Sequence, residues 1–203
     1  TVLANLSAKN GLDTHLWVRD SELALKINSE SANREYHPEL MLSKKIFASE
    51  ILSECVCNAD LIFVATPSSI IQNVINRIKP HIKEGVVLIS CTKGIVNNPT
   101  RTITDYIKEQ LFDRTALERL GVLSGPNLAR EIADEKVAGS VIASRSLHSI
   151  DLVINALESK IFKLYSSNDI KGVEYAGALK NIYAIGCGIG QQVHLGVNAI
   201  GLI

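Results

Sequence analysis

Two lysines of this sequence have the chemistry to bind an anion or to exchange a proton. Lys180 lies in the segment Gly177-Ala-Leu-Lys-Asn-Ile-Tyr-Ala-Ile-Gly186, where Lys180 and Asn181 are the only strongly polar side chains. The small and aliphatic neighbours predict burial on most faces, so the ammonium should need a ligand to compensate its charge. Such a lysine is a suitable acid or base for the reduction of a carbonyl to an alcohol. The alternative interpretation is a structural lysine that extends from a packed helix to the surface.

Lys93 follows the most hydrophobic of the predicted strands, in the tetrapeptide Cys91-Thr-Lys-Gly94. Gly94 permits a sharp turn of the backbone at this point. Ligands of a doubly wound α/β sheet bind beyond the carboxyl ends of its strands. A lysine at such an end is placed to meet a phosphate or a polarised oxygen. We therefore interpret Lys93 as a ligand-binding residue.

Polar residues also follow two other predicted strands. Arg19 follows the first strand, where an arginine accommodates the 2′-phosphate of NADP. Asp20 beside it leaves NAD open, and a solvated loop arginine explains the position as well. In Ala65-Thr-Pro-Ser-Ser69, Thr66 and Ser68 are predicted to cap the following helix. The N–H groups of that helix could then face a dinucleotide, although capping alone explains both residues.

A fourth strand is followed by the segment Leu123-Ser-Gly-Pro-Asn-Leu-Ala-Arg-Glu131. Pro126 suits the first turn of a helix, because its missing N–H has no partner there in any case. The N–H groups of that turn would point at a bound group. Ser-Gly-Pro by itself is a common sequence, so this segment predicts a ligand only together with the others.

Several other kinds of site are not predicted. The five histidines include no i, i+4 pair, so we expect no metal site, and the hydrolase motifs G-x-S-x-G and H-E-x-x-H do not occur. Basic and acidic residues each number 21, so no net charge favours nucleic acid. Four cysteines without a C-x-x-C pair predict reduced thiols in a cytoplasmic protein. No run approaches the roughly 20 apolar residues that span a bilayer, so we expect no membrane insertion.

Short runs rich in β-branched residues alternate with amphipathic segments of helical period. Several of these runs are apolar on both faces, which is typical of a parallel sheet buried between helices. The predicted strands are 14–19, 60–66, 85–91, 120–124, 139–144 and 162–165. The predicted helices are 68–82, 100–112, 127–135 and 146–157, and the first residues of the chain resemble the interior of a helix. The alternation predicts βαβ units in an α/β fold with a sheet covered on both sides.

Two segments depart from this alternation. The stretch 31–49 is polar and contains Pro38, which predicts an irregular connection. From about residue 169 small residues become frequent without a break in helical continuity. Such a helix can pack very close to other helices, although each glycine costs up to about 1 kcal/mol relative to alanine. We therefore predict a domain boundary near residue 168.

Seven blocks of the sequence form a specific set when taken in order. They are Trp17-Val-Arg19, Ala65-Thr-Pro67, Cys91-Thr-Lys-Gly94, Ser124-Gly-Pro-Asn-Leu-Ala-Arg-Glu131, Phe162-Lys-Leu-Tyr165, Gly172-Val-Glu and Gly177-Ala-Leu-Lys-Asn-Ile-Tyr-Ala-Ile-Gly186. The set closely resembles the bacterial NAD(P)-dependent glycerol-3-phosphate dehydrogenase family over nearly the whole chain. The resemblance implies a Rossmann-type doubly wound sheet followed by the start of an all-helical domain. It implies a dinucleotide-binding domain at residues 1–168 and the beginning of a helical substrate-binding domain at 169–203.

The resemblance also implies an activity and roles for individual residues. The family interconverts dihydroxyacetone phosphate and sn-glycerol 3-phosphate for glycerophospholipid synthesis, with NADP or NAD as cofactor. Lys180 matches the catalytic lysine, which contacts the substrate oxygen and donates or accepts the proton. Lys93 matches a lysine shared between cofactor and substrate, and Gly125 and Asn127 match substrate contacts. The other cofactor-binding matches are Arg19 near the adenosine ribose, Tyr36 in a segment like the family's Asn-x-x-Tyr-x-Pro, and Ala129.

The sequence departs from the family pattern at both ends. The first strand and the Gly-x-Gly-x-x-Gly turn are missing, and Thr1-Val-Leu-Ala resembles the residues just after the last of those glycines. The block at 196–203 fits only in part, and the later helices with their Arg-Asn pair are missing. We expect an enzyme seen without its ends; the alternatives are a truncated, non-catalytic dinucleotide-binding remnant and a related hydroxyacid dehydrogenase. The expected partners are a small-molecule substrate and, on the face of 172–190, further helices or the second subunit of a homodimer.

Overall fold

Strands and helices alternate along most of the chain in the computed structural model, which describes residues 1–97, 99–111 and 118–203. The strands are β1 (Thr14–Trp17), β2 (Ile46–Ser49), β3 (Leu61–Val64), β4 (Val87–Ser90), β5 (Ile95–Val96), β6 (Arg101–Thr102), β7 (Leu120–Ser124), β8 (Ala138–Ser144) and β9 (Phe162–Ser167). The helices are α1 (Val2–Lys9), α2 (Ser21–Glu30), α3 (Leu52–Val56), α4 (Ile71–Ile78), α5 (Ile103–Leu111), α6 (Ala129–Ala133), α7 (Leu147–Leu157), α8 (Ile170–Gln192) and α9 (Val197–Ile200). The predicted α/β class is confirmed.

The central sheet has five strands in the order β3-β4-β7-β8-β9. Strands β3, β4 and β7 are parallel, so their carboxyl ends at Val64, Ser90 and Ser124 lie along one edge. Strand β8 is antiparallel to β7, and β9 is parallel to β8. Strands β1 and β2 form a separate parallel pair, and β5 and β6 form a short antiparallel hairpin. The residues that follow β3, β4 and β7 are therefore the ones that the sheet brings together.

Helices cover both faces of the central sheet. On β4, Val87 and Ile89 pack into one hydrophobic core with α1, α2 and α7. The residue between them, Leu88, packs into a second core with α3, α4 and α5. Each of these side chains is at most 2% exposed, and burying a side chain of this size stabilises the fold by about 1.5–3 kcal/mol. Burial on both faces explains why the sequence of β4 is apolar without alternation.

Most predicted elements are confirmed, usually with shorter bounds. Strand β7 has the predicted bounds 120–124. The predicted helix at 68–82 begins as one turn of 3-10 helix at Ser68–Ile70 and continues as α4 to Ile78. Helix α5 begins at Ile103, and the predicted end of this helix at Phe112 lies outside the described residues. The helical start of the chain is confirmed by α1.

Several elements differ from the sequence prediction, including β6, which lies within the predicted helix 100–112. The stretch 31–49 is not wholly irregular, because its last residues form β2 and pair with β1. Helix α2 is not predicted, since only Ala24 and Ile27 of its ten residues are buried. The predicted parallel arrangement is wrong for β8, which is antiparallel to β7. An apolar run indicates burial on both faces of a strand, but it does not indicate the direction of the strand.

Helix α8 is the longest described helix, with 23 residues. It begins after Asp169, whose carboxylate accepts a hydrogen bond from the N–H of Gly172. Its first part packs against β6, β7 and β8, and its last part contacts α9. Within the described ranges, no helix combines the length and the apolar character that are needed to cross a bilayer.

Candidate active site

Helix α8 approaches the carboxyl edge of the sheet at Gly177. A Cβ atom at this position would lie 2.5 Å from Oγ of Ser124, at the end of β7, and 4.0 Å from Cγ of Lys93. Since 2.5 Å is well below a van der Waals contact, the absence of a side chain at residue 177 permits this approach. The glycine thus brings α8 beside the lysine that follows β4.

The loop that carries Lys93 is fixed against the loop after β3. The hydroxyl of Thr92 donates a hydrogen bond to the carbonyl oxygen of Thr66, with an O–O distance of 2.8 Å. Gly94 has φ +133°, and a Cβ atom there would lie 2.9 Å from Oγ of Ser68. Both the positive φ and the close approach favour glycine, so the predicted sharp turn at Gly94 is confirmed. The turn fixes the backbone from which the Lys93 side chain extends, and the residue remains partly accessible to solvent.

Lys93 and Lys180 lie close enough for their charges to interact. Partial burial of its ammonium lowers the pKa of Lys93, and the charge of Lys180 lowers it further, while the Cys91 thiol acts in the opposite direction. Neither lysine forms a hydrogen bond or an ion pair with the part of the chain that the structure describes. Two neighbouring ammonium groups without a carboxylate partner form a site that attracts a dianion such as a phosphate ester.

The burial predicted for Lys180 and Asn181 is wrong. Both residues are exposed, because α8 leaves the sheet one turn after Gly177. Among the residues of α8, only Glu174, Gly177 and Gly190 are buried. A high content of small residues is therefore not enough to predict that this helix is buried. Lys180 instead lies on a solvent-exposed part of the helix, one turn after Gly177.

Gly125 and Asn127 lie in the loop after β7. A Cβ atom on Gly125 would lie 2.7 Å from the carbonyl oxygen of Gly139, so the loop is packed tightly onto β8. The amide of Asn127 donates a hydrogen bond to Oγ of Ser140, while its Oδ1 is buried without a partner among the described residues. The prediction that Pro126 lies in a first helical turn is wrong, because α6 begins only at Ala129.

Three buried side-chain oxygens at this edge have no hydrogen-bond partner in the described ranges. They are Oγ1 of Thr66, Oγ of Ser90 and Oδ1 of Asn127. Leaving such an oxygen unpaired costs about 1–3 kcal/mol, and all three lie at or just after the ends of the parallel strands β3, β4 and β7, where a ligand with several polar groups could pair with them. The capping predicted for Thr66 and Ser68 is wrong, since neither the 3-10 turn nor α4 has a side-chain cap.

Arg19 follows β1, and Tyr36 lies in the connection between α2 and β2; neither is on the central sheet that carries Lys93. Arg19 is exposed, and its guanidinium forms no hydrogen bond or ion pair with any described residue. The neighbouring Asp20 is engaged, because its carboxylate accepts hydrogen bonds from the N–H groups of Glu22 (2.7 Å) and Leu23 (3.1 Å) and so caps α2. Tyr36 lies in a turn, and its side chain is 60% exposed.

Ala129, the last of the predicted cofactor-binding residues, is the first residue of α6 and is exposed.

The Cys91 thiol lies just before Lys93 but is not reactive. Burial raises the pKa of the Cys91 thiol to about 12, although Lys93 acts against this rise. This thiol therefore stays protonated and does not serve as a nucleophile at neutral pH. In the described part of the chain, no three His, Cys, Asp or Glu side chains converge as metal ligands.

Two polar residues at this site are not singled out by the sequence. Ser140 is 2% exposed and accepts the hydrogen bond of Asn127 from the neighbouring strand β8. Glu174 is 4% exposed and binds the N-terminus of α5. Glu174 lies in the block Gly172-Val-Glu, but its partner is 70 positions away. A charged residue on a helix indicates solvent exposure unless its partner is known.

Family models match most of the chain. The model described as the N-terminus of NAD-dependent glycerol-3-phosphate dehydrogenase matches residues 1–150. The model described as the C-terminus of the same enzyme matches residues 169–203.

Two bacterial proteins are similar to all or nearly all of the chain. Glycerol-3-phosphate dehydrogenase [NAD(P)+] of Acinetobacter baumannii (strain SDF) is 42% identical over 203 residues, which are 100% of this chain and 56% of that protein. The protein of the same name from Alcanivorax borkumensis is 39% identical over 199 residues, covering 98% of this chain and 57% of that protein. The chain therefore spans little more than half the length of these relatives.

Solved structures show the same fold. Glycerol-3-phosphate dehydrogenase from Saccharomyces cerevisiae superimposes with a TM-score of 0.87 at 26% identity, covering 100% of this chain and 63% of that one. The enzyme from Coxiella burnetii gives a TM-score of 0.84 at 28% identity, covering 99% of this chain and 60% of that one. These neighbours confirm the Rossmann-type fold that the resemblance implies. By its sequence and by its fold, the chain belongs to the NAD-dependent glycerol-3-phosphate dehydrogenase family.

Proposed function

We propose that this chain supplies the dinucleotide-binding part and the catalytic lysine of an NAD(P)-dependent glycerol-3-phosphate dehydrogenase. Such an enzyme interconverts dihydroxyacetone phosphate and sn-glycerol 3-phosphate, and sn-glycerol 3-phosphate is the backbone of glycerophospholipids. The observation that carries the proposal is the close packing of α8, the helix that bears Lys180, beside Lys93: a Cβ atom on Gly177 would lie 4.0 Å from Cγ of Lys93, and the charge of Lys180 contributes to the lowered pKa of Lys93. This pair of cations, in a chain of this family, suits a substrate that carries both a phosphate and a reducible carbonyl.

The edge formed by β3, β4 and β7 fits a ligand with as many polar groups as a dinucleotide has. Thr66 and Ser90 each present a buried hydroxyl that lacks a partner in the described ranges, and buried polar groups are nearly always paired in a working site. Lys93 and Ala129 would hold the cofactor along this edge. When bound, NADPH or NADH would donate a hydride from its nicotinamide ring, and NADP or NAD would accept one there.

Arg19 and Tyr36 would hold the adenosine end of the cofactor beside β1. The guanidinium of Arg19 is exposed and unpaired among the described residues, whereas Asp20 is engaged in capping α2. An arginine pairs with a 2′-phosphate, and a free carboxylate pairs with the 2′-hydroxyl of NAD. The exposed guanidinium of Arg19 thus suits NADP better than NAD. We nevertheless propose that either dinucleotide can bind.

The substrate would bind between the two lysines. Lys93 attracts its phosphate, and Asn127 beside Gly125 offers an unpaired amide oxygen to a substrate hydroxyl. In reduction, the ammonium of Lys180 stabilises the negative charge that develops on the carbonyl oxygen and donates the proton that makes it a hydroxyl. In oxidation, the neutral amine of Lys180 accepts that proton.

We also propose that the chain divides into a dinucleotide-binding domain at 1–168 and the beginning of the substrate-binding domain at 169–203. Strand β9 ends at Ser167, and α8 begins at Ile170 after the capping residue Asp169. The two family models end and begin at residues 150 and 169. Both observations support a boundary between β9 and α8.

The assay that tests this function uses the protein expressed from its complete gene. We expect it to oxidise NADPH or NADH when dihydroxyacetone phosphate is added and to reduce NADP or NAD with sn-glycerol 3-phosphate. Turnover of 3-hydroxyisobutyrate in preference to glycerol phosphate would replace the proposal with a related hydroxyacid dehydrogenase. Binding of NADPH without turnover of any of these substrates would indicate a non-catalytic remnant.

A further inference from the structure

Glu174 is the only Asp, Glu, Lys or Arg of the described chain that is buried. It lies on α8, one helical turn before Gly177, and its side chain turns towards α5. Burying a carboxylate is costly unless its oxygens are hydrogen-bonded. The surroundings of Glu174 must therefore supply strong donors.

Both donors come from Thr104, the second residue of α5. The N–H of Thr104 donates to Oε1 of Glu174 with an N–O distance of 2.8 Å, and the Thr104 hydroxyl donates to the other carboxylate oxygen. The first N–H groups of a helix have no partner within the helix, and they lie at the positive end of its dipole. Glu174 therefore caps α5 from a different helix with charge-assisted hydrogen bonds.

The exposed groups nearby do not replace this contact. Lys171 forms an ion pair with Asp105 at the same junction, but the two side chains are 45% and 42% exposed. Exposed ion pairs contribute little to the stability of a contact. Lys171 also donates a hydrogen bond to Thr102, just before α5, and Glu174 is the link between α8 and α5 that is buried.

Glu174, Gly177 and Lys180 are spaced three residues apart, so each lies one turn beyond the previous one along α8. Gly177 lets α8 approach the sheet, but without a side chain it cannot resist rotation of the helix about its axis. Glu174 reaches sideways to α5 and can resist this rotation. Because Lys180 is a long side chain one turn further on, even a small rotation would displace its ammonium from Lys93.

We propose that Glu174 is a positioning residue, which caps α5 and thereby holds α8 in the rotation that keeps Lys180 beside Lys93. The inference rests on the proposed function, since proton transfer by Lys180 is what makes its position matter. A displacement of about 1 Å in an active site can lower the rate about a hundredfold. The effect should fall on kcat, because the groups assigned to the cofactor lie on other elements than α8.

The test compares Glu174→Ala and Glu174→Gln with wild type in the protein expressed from its complete gene. We expect Glu174→Ala to lower kcat about a hundredfold, on the scale of a 1 Å displacement, with little change in KM for the dinucleotide. Glu174→Gln keeps the size of the side chain and one acceptor for the Thr104 N–H, so it should lose less. If Glu174→Ala does not fold, the Gln variant decides alone: wild-type kcat in a folded Glu174→Gln protein overturns the proposal.

The matched control is Ile107→Val, which removes one fully buried methyl group from α5 and leaves both partners of the Glu174–Thr104 contact in place. It weakens the same helix, so it shows what loss of stability alone does to kcat. We expect wild-type kcat in this control. An equal loss of kcat in Ile107→Val and Glu174→Gln would mean that Glu174 affects kcat only through stability, which would overturn the proposal.

A second readout does not depend on turnover. The pH dependence of acylation of Lys93, followed by mass spectrometry, reports the repulsion between its amine and Lys180. We expect the Glu174 variants to raise the pKa of Lys93 towards its ordinary value, because α8 is released, and Ile107→Val to leave it unchanged. Absence of turnover in wild type would refute the proposed function, whereas an unchanged Lys93 titration in the Glu174 variants would refute the positioning role.

Discussion

The two halves of helix α8 have opposite surroundings. In the first half, 170–180, the buried residues are a glutamate and a glycine, and they face α5 and the end of β7. In the second half, 181–192, three isoleucines are more than 60% exposed: Ile182, Ile185 and Ile189. In this 203-residue chain, a polar side chain is therefore buried where α8 packs against α5 and the sheet, and apolar side chains are exposed in the half that lies beyond them.

This difference shows what fixes the helix in the described chain. The first half is held by specific geometry, namely a hydrogen-bonded carboxylate and a position without a side chain, rather than by buried apolar area. Lys180 stands at the last turn of that half, just before the contacts with the sheet end. The position of the lysine therefore depends on a few polar and steric contacts, and substitutions in the two halves should have very different consequences.

The largest effect should follow from Lys180→Ala at the boundary between the halves. Loss of a general acid or base lowers turnover by about 10²–10⁴-fold, and kcat for dihydroxyacetone phosphate measures this directly. The control is Lys171→Ala, an exposed lysine at the start of the same helix, which should keep wild-type kcat. A loss of less than about tenfold in Lys180→Ala, equivalent to about 1.4 kcal/mol of barrier, would exclude a role in proton transfer.

Gly177→Val should have the next largest effect, because it places a branched side chain where α8 meets Ser124 and Lys93. A Cβ atom alone would lie 2.5 Å from Oγ of Ser124. We expect a loss of about 1–3 kcal/mol in the free energy of unfolding, as overpacking usually causes, together with reduced kcat. Thermal denaturation and the kinetic assay measure the two effects. Wild-type values in both would mean that α8 is not held at this point.

Gly188→Ala should have a smaller effect of opposite sign in the second half. Among the described residues, apart from the backbone of α8 itself, no heavy atom lies within 4 Å of a Cβ at this position. Alanine is favoured over glycine in a helix by about 1 kcal/mol, and the melting temperature of this 203-residue chain should therefore rise. A destabilised variant would show that the second half is as closely packed as the first.

Ile185→Ser should change the stability of this 203-residue chain least. The side chain is 64% exposed, and surface substitutions usually stay within about 0.5 kcal/mol. Chemical denaturation of the wild-type chain and of the Ile185→Ser variant gives the difference in the free energy of unfolding. A loss of 2 kcal/mol or more, which is typical of a buried site, would contradict the contrast between the halves.

The features that could be predicted from the sequence are those with local causes. Strand β4 is recognisable because Val87, Leu88 and Ile89 are buried on alternate faces, and the turn at Gly94 is recognisable because only glycine suits it. The position of Lys93 at the end of β4 can be predicted from this strand and this turn together. Edge strand β2 could not be recognised, because Phe47 is half exposed and no continuous apolar run marks it.

The features that could not be predicted depend on contacts between distant residues. The burial of Glu174 has its cause in Thr104, which lies on another helix. The exposure of Lys180 depends on where α8 leaves the sheet, whereas the small residues around it are compatible with burial as well as exposure. The direction of β8 is set by its pairing with β7, and the sequence of a strand does not encode a direction.

The most direct test of the account is the titration of Lys93 in wild type and in Lys180→Gln. Helix α8 brings Lys180 within electrostatic range of Lys93, whose pKa is lowered first by burial and then by this charge. Acylation of Lys93 across a pH series, measured by mass spectrometry on the protein expressed from its complete gene, gives the pKa. The account predicts that Lys180→Gln raises the pKa of Lys93; an unchanged titration curve would contradict it.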